Sequence, residues 1–154
     1  MAYFINENCI GCTLCAKNCP VFAIKGKLKE RHEVNSKRCV ECGVCANVCN
    51  VSAVFNPEGK VAEKIPKAEW KKPVFDKELC SACSICVQIC GINCIQISLP
   101  EYKGDIAVYA YLEKEKQCVG CGLCASYCPL HVITMKAGEK NETAKAKTTK
   151  VFNN

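Results

Sequence analysis

The sequence predicts an α+β fold of two repeated halves, organised around metal centres instead of large apolar side chains. Three observations predict it. Cysteine fills 17 of the 154 positions, while Phe, Tyr and Trp together make up only 7%. Sixteen of the cysteines fall into four runs of identical spacing, C-x2-C-x2-C-x3-C. Short β-prone segments flank every run: Tyr3 to Ile5, Phe22 to Lys25, Val51 to Phe55, Val74 to Asp76, Ile95 to Leu99, Val108 to Leu112 and Val132 to Met135. A chain of this length forms one domain or two small ones, and five Phe, five Tyr and one Trp are too few to stabilise it by packing alone.

The runs are Cys9, Cys12, Cys15, Cys19; Cys39, Cys42, Cys45, Cys49; Cys80, Cys83, Cys86, Cys90; and Cys118, Cys121, Cys124, Cys128. They agree between the cysteines as well. The residue before the third Cys is apolar (Leu14, Val44, Ile85, Leu123), and the one after it is small or branched (Ala16, Ala46, Val87, Ala125). Two-residue gaps let a tight loop direct three sulfurs at one body while its backbone N–H groups face anionic sulfides. The x3 gap suits the first turn of a helix, which carries the fourth sulfur away. Structural zinc uses two pairs of ligands separated by a longer stretch, so four such runs argue against it.

Disulfides are the third use of a cysteine-rich chain, and they need an oxidising compartment. The odd cysteine count weakens a fully paired scheme. Met1 to Cys9 has neither a cationic start nor an apolar run of signal-peptide length, and no apolar stretch approaches the roughly 20 residues of a bilayer span. The expectation is a cytoplasmic, reducing location with no membrane span.

The four runs resemble the bacterial-type ferredoxin family with paired [4Fe-4S] clusters, present here in tandem as in polyferredoxins and four-cluster electron-transfer subunits of anaerobic oxidoreductases. The resemblance covers about residues 1 to 136. The first and fourth runs carry the family's proline after the last Cys, at Pro20 and Pro129, whereas the second and third have Asn50 and Gly91 there. It implies an α+β fold of two tandem ferredoxin-like modules with four [4Fe-4S] clusters as core. It also implies crossed ligation: cluster one by Cys9, Cys12, Cys15 and Cys49, cluster two by Cys39, Cys42, Cys45 and Cys19. Cluster three would take Cys80, Cys83, Cys86 and Cys128, and cluster four Cys118, Cys121, Cys124 and Cys90.

Cys94 is left over. Four residues past the last Cys of each run stand Ala23, Ala53, Cys94 and Val132, so Cys94 occupies the place of a small apolar residue and reads as a buried, packed thiol. The rival reading makes it the fourth ligand in place of Cys90.

The expected domains are 1–56 and 76–136, joined by a linker at 57–75 and followed by a disordered tail at 137–154. The stretch from Asn56 to Pro73 holds three prolines, five lysines and the only tryptophan, as a linker does. Trp70 reads as a packing anchor within it. Ala107 to Tyr111 reads as a hairpin strand after a turn at Pro100 to Asp105.

The formal charge of +6 invites a nucleic-acid reading. Each four-thiolate cubane contributes about −2, however, so four bring the chain to about −2 overall. The basic residues also form no stripe interleaved with aromatics, and no nucleic-acid partner is expected.

A cubane with four cysteine ligands has no open coordination position and passes single electrons without binding substrate. The chain has no G-x-G-x-x-G, no P-loop and no nucleophile beside a base. Its two histidines, His32 and His131, read as surface residues. The expectation is an electron carrier without its own catalytic site. By resemblance it is the small electron-conducting subunit of an anaerobic oxidoreductase of aldehyde, formate or hydrogenase type, with a catalytic subunit and a ferredoxin-type protein as partners. The alternative is a free-standing polyferredoxin.

Overall fold

A computed structural model describes residues 2–137; the expected disordered tail, apart from Ala137, lies outside the described residues. The chain divides into two compact units. One runs up to Trp70 and includes Val119–Cys121; the other comprises Lys71–Cys118 and the residues from Gly122 on.

In the first unit, β1 (Phe4–Ile5) precedes the first cysteine run and α1 (Leu14–Asn18) follows its loop. Then come β2 (Ile24–Lys25), β3 (Glu33–Val34), α2 (Val44–Val48) and β4 (Val54–Phe55). β1 pairs antiparallel with β4, placing Ile5 opposite Val54 and stacking the Phe4 and Phe55 rings at 5.1 Å. β2 pairs with β3, with Ile24 opposite Val34. The strand before the first run thus joins the strand after the second, and the inner two strands join each other.

The second unit repeats this order with longer strands: β5 (Lys72–Phe75), α3 (Ile85–Ile89), β6 (Ile95–Ile97), β7 (Ala110–Leu112), α4 (Leu123–Ser126) and β8 (Ile133–Lys136). β5 pairs with β8, and β6 with β7. Residues 72–75, expected within the linker, are therefore a strand of this unit; Pro73 is tolerated because only one side of β5 is paired. The linker before it contains a 3-10 turn at Lys67–Glu69, and Trp70 closes it by donating its indole N–H to the Ile65 carbonyl at 2.9 Å. The expected hairpin forms as β6 and β7, with Ser98 N–H bonding the Tyr109 carbonyl at 2.8 Å beyond the strand ends.

Helices of four or five residues cannot persist alone, since isolated helices need roughly 12–15 residues even to be marginal. The loops around them supply the order. Each run has positive φ just before its second Cys (Gly11, Glu41, Ala82, Gly120), two residues before its third (Thr13, Gly43, Ser84, Gly122), and three residues after its fourth (Phe22, Ser52, Asn93, His131). Glycine fills four of these twelve positions. The others hold side chains in a region that costs about 1–2 kcal/mol per residue. Backbone strain repeated at the same three places of every run points to a common body that the runs enclose.

Candidate metal centres

The helix explains which sulfur goes inside. In each run the left-handed residue starts the helix, and its carbonyl accepts from the residue four further on: Thr13 from Lys17, Gly43 from Asn47, Ser84 from Gln88 and Gly122 from Ser126. The third Cys sits on the first turn, and Cys15, Cys45, Cys86 and Cys124 are all buried. The fourth Cys ends the short helix or follows it, as Cys19, Cys49 and Cys90 do in extended conformation.

Three cavities of similar size then bring cysteines together. One of about 320 Å³ is lined by Cys9, Cys12, Cys15 and Cys49. A second, also about 320 Å³, is lined by Cys39, Cys42, Cys45 and Cys19. The third, about 340 Å³, is lined by Cys80, Cys83, Cys86 and Cys128. Each therefore collects three cysteines of one run and the last cysteine of another. Among the described residues no three Cys, His, Asp or Glu side chains converge as tightly as a single ion requires; the thiols stand around a cavity instead. Apart from these sulfurs the walls are mainly apolar, with Ile5, Leu14, Val51 and Val54 around the first cavity and Val34, Val40 and Val44 around the second.

Backbone N–H groups face these sulfurs. Gly11 donates to Cys9 Sγ at 3.4 Å, Ala23 to Cys19 Sγ at 3.3 Å, Ala53 to Cys49 Sγ at 3.4 Å and Ala110 to Cys80 Sγ at 3.4 Å. Such bonds stabilise thiolate and tune a metal bound to it. Burial acts in the opposite sense on the free thiols, pushing Cys15 up to about 11, Cys45 to about 12 and Cys86 to about 11. A neutral, buried thiol becomes a good ligand when a cation replaces its proton. The donor set, the enclosing loops and the N–H groups fit a thiolate-ligated [4Fe-4S] cubane, which the twelve cysteines lining these three cavities would hold.

Around the fourth run the structure differs. Cys94 is buried, and its Sγ lies 3.4 Å from Cys90 Sγ. Hydrogen bonds to Cys118 and Cys90 push the Cys94 thiol far up, while the bond from Cys94 holds Cys90 down at about 5. Cys94 thus stands beside two cysteines that the resemblance assigns to cluster four. The Lys72 ammonium approaches the same stretch, donating to the Glu115 carbonyl at 3.2 Å and to the Cys118 carbonyl.

The sequence reading of His32 is corrected. His32 is 1% exposed, lines the first cavity and donates from Nδ1 to the Glu30 carbonyl at 3.1 Å; His131 is exposed as expected. The strand pairing that buries His32 is not visible in its charged neighbours Arg31 and Glu33. Tyr3, which lines the second cavity, was likewise not singled out by the sequence reading. Burial and then the thiolates of Cys45, Cys42 and Cys39 raise its hydroxyl above the usual phenol range.

Residues 2–56 match the 4Fe-4S dicluster domain family, and residues 114–134 match the 4Fe-4S binding domain family. These two regions are thus 4Fe-4S domains of the ferredoxin type. It is similar to NADH-quinone oxidoreductase subunit I of Syntrophotalea carbinolica, 33% identical over 36% of this chain and 32% of that one. It is also similar to one subunit of the ion-translocating oxidoreductase complex of Thiobacillus denitrificans, 46% identical over 48% of this chain and 38% of that one. The chain thus spans about a third of the length of these curated relatives. A solved formate dehydrogenase, heterodisulfide reductase and formylmethanofuran dehydrogenase complex from Methanospirillum hungatei contains a chain aligning with 91% of this one and 54% of its own length, at 22% identity and TM-score 0.43. Among the described residues no helix is long and apolar enough to cross a membrane.

Proposed function

We propose that this chain is an electron-conducting subunit of an oxidoreductase complex and carries four [4Fe-4S] clusters with crossed ligation. The observation that carries the proposal is the lining of the three cavities, each by four cysteines drawn from two runs. The fourth set, Cys118, Cys121, Cys124 and Cys90, follows from the repeat of spacing and of positive-φ positions. A bound cubane supplies one-electron exchange. The protein's residues hold it by four thiolates, donate N–H bonds to those thiolates and keep water away with the apolar wall. With four sulfurs per cluster already engaged, no iron is left for substrate, so the role is that of a carrier.

The names of the relatives support a place in a larger complex, since each is a subunit of an oxidoreductase. A catalytic partner of aldehyde, formate or hydrogenase type is the finer form of the proposal and rests on the ferredoxin resemblance.

Anaerobic purification of the tagged full-length chain from its own host, with iron determined per chain, tests this reading. The expected result is about sixteen irons and a stoichiometric, cofactor-bearing partner. Recovery of the iron-loaded chain alone would overturn the subunit assignment in favour of a free polyferredoxin, and about eight irons would overturn the count of four clusters.

A further inference from the structure

His32 has one nitrogen accounted for and one not. Nδ1 must donate to Glu30, because a backbone carbonyl only accepts; the distance is 3.1 Å. Nε2 is fully buried and has no hydrogen-bond partner among the described residues. Gly26 closes the Nδ1 side of the ring: a Cβ there would lie 2.6 Å from Cγ and 2.8 Å from Nδ1. The ring itself lines the cavity that also holds Cys9, Cys12, Cys15 and Cys49. An unsatisfied buried nitrogen costs about as much as a lost hydrogen bond, so a partner belongs in the ligated state. In a neutral ring Nε2 would accept; in a protonated ring it donates, and the acceptors this cavity then offers are sulfurs.

The second unit shows what the position is for. Ile24 pairs with Val34 and Ile95 with Leu112, so the two registers make His32 equivalent to Ala110. Ala110 lines the Cys80 cavity and donates its backbone N–H to Cys80 Sγ at 3.4 Å. The same place in the fold thus faces sulfur in both units. In one it provides a main-chain donor, and in the other a histidine.

We propose that His32 donates an Nε2–H hydrogen bond to the sulfur shell of the cluster held by Cys9, Cys12, Cys15 and Cys49, and thereby raises the reduction potential of that cluster alone. The inference rests on the reading of those four cysteines as its ligands. With both nitrogens donating, the ring is an imidazolium, and the anionic cubane is the opposite charge that a buried cation needs. Reduction adds a negative charge beside the donor, so the bond strengthens in the reduced state and favours it.

The test uses the full-length, anaerobically reconstituted protein. Iron per chain and the cubane spectra are recorded first; absence of the clusters would overturn the ligand reading and this inference together. With clusters present, His32→Leu should lower the midpoint potential of one cluster by a change in reduction constant on the order of tenfold, which is 59 mV for one electron, and leave the others in place. His32→Gln keeps a side-chain donor and should recover most of the shift, which a purely structural role would not produce. Unchanged potentials in both variants would overturn the proposal. For the case that His32→Leu does not fold, pulsed EPR of the reduced wild-type protein with ¹⁵N-labelled histidine should show a weak nitrogen coupling to one cluster. No coupling would overturn the hydrogen bond, and a strong one would overturn it by making His32 an iron ligand.

Discussion

The two units share one backbone plan but differ at two equivalent positions beside their sulfurs. Opposite Ala110 on the neighbouring strand stands Ile97, and by the same register Gly26 is opposite His32. A large and a small residue change places between the strands, so the volume is kept while the donor changes. Four residues past the last Cys, the first unit has Ala23 and Ala53, and the second has Val132 and, in the place of Ala23, Cys94. Ala23, Ala53 and Cys94 are buried, and Ala23 and Ala53 donate backbone N–H groups to Cys19 and Cys49. Cys94 adds a thiol that touches Cys90. The loops fix where sulfur sits, while a nearby residue changes which groups surround it.

The largest expected effect tests the shared plan. Strained loops and helices of four or five residues need the metal to hold them, so stripping iron with an anaerobic chelator should remove the near-UV dichroism and the cooperative melt of both units. Retention of a sharp melt without iron would contradict this. Next in size is the crossing of ligands. Cys19→Ser should disturb the cluster of Cys39, Cys42 and Cys45, read as an altered EPR signal; a change confined to the cluster of Cys9, Cys12 and Cys15 would break the assignment.

The exchange of volumes gives a smaller, sharper test. Gly26→Ala forces a Cβ against the His32 ring and should destabilise the holoprotein by about 1–3 kcal/mol. Adding His32→Ala should recover the part of that loss due to the ring but not the part due to the His32 Cα, which lies 2.9 Å from the added Cβ, and thermal melts of the two variants measure it. Cys94→Ala, which makes the second unit like the first, should leave iron content unchanged and lower the potential of a single cluster. Loss of four irons would instead make Cys94 a ligand.

The smallest effect compares two helix starts. Thr13 is β-branched at φ 65° and makes no side-chain capping bond. Thr13→Gly should therefore stabilise by a few tenths to about 1 kcal/mol in a thermal melt. Ser84, also at φ 65°, donates its hydroxyl to the Ala82 carbonyl at 3.4 Å, so Ser84→Gly should gain less.

The cysteine runs were legible because their spacing is itself a statement about geometry: two-residue gaps for a wrapped loop, three for a helical turn. The apolar residue ahead of each third Cys marked where α1 to α4 begin. What escaped the sequence depends on pairing between distant segments. β3 follows the charged stretch Lys27 to Arg31, which carries no β signal of its own, and only its pairing with Ile24 and Lys25 makes it a strand. The burial of His32 follows from that pairing and from the space Gly26 leaves. Val74 to Asp76 read as β-prone, but Pro73 disguised the start of β5 as linker, since proline in a strand is acceptable only where its missing N–H is not needed. Cys94 was read correctly as occupying a small apolar position, but its contact with Cys90 required the loop to be folded.

The central claim is four thiolate-bound cubanes in one chain. Iron and acid-labile sulfide analysis of the anaerobically reconstituted full-length protein, with Mössbauer spectra of the same sample, tests it most directly. The expected result is about sixteen irons and as many sulfides per chain, all in cubane environments. About eight irons, or zinc in place of iron, would contradict it.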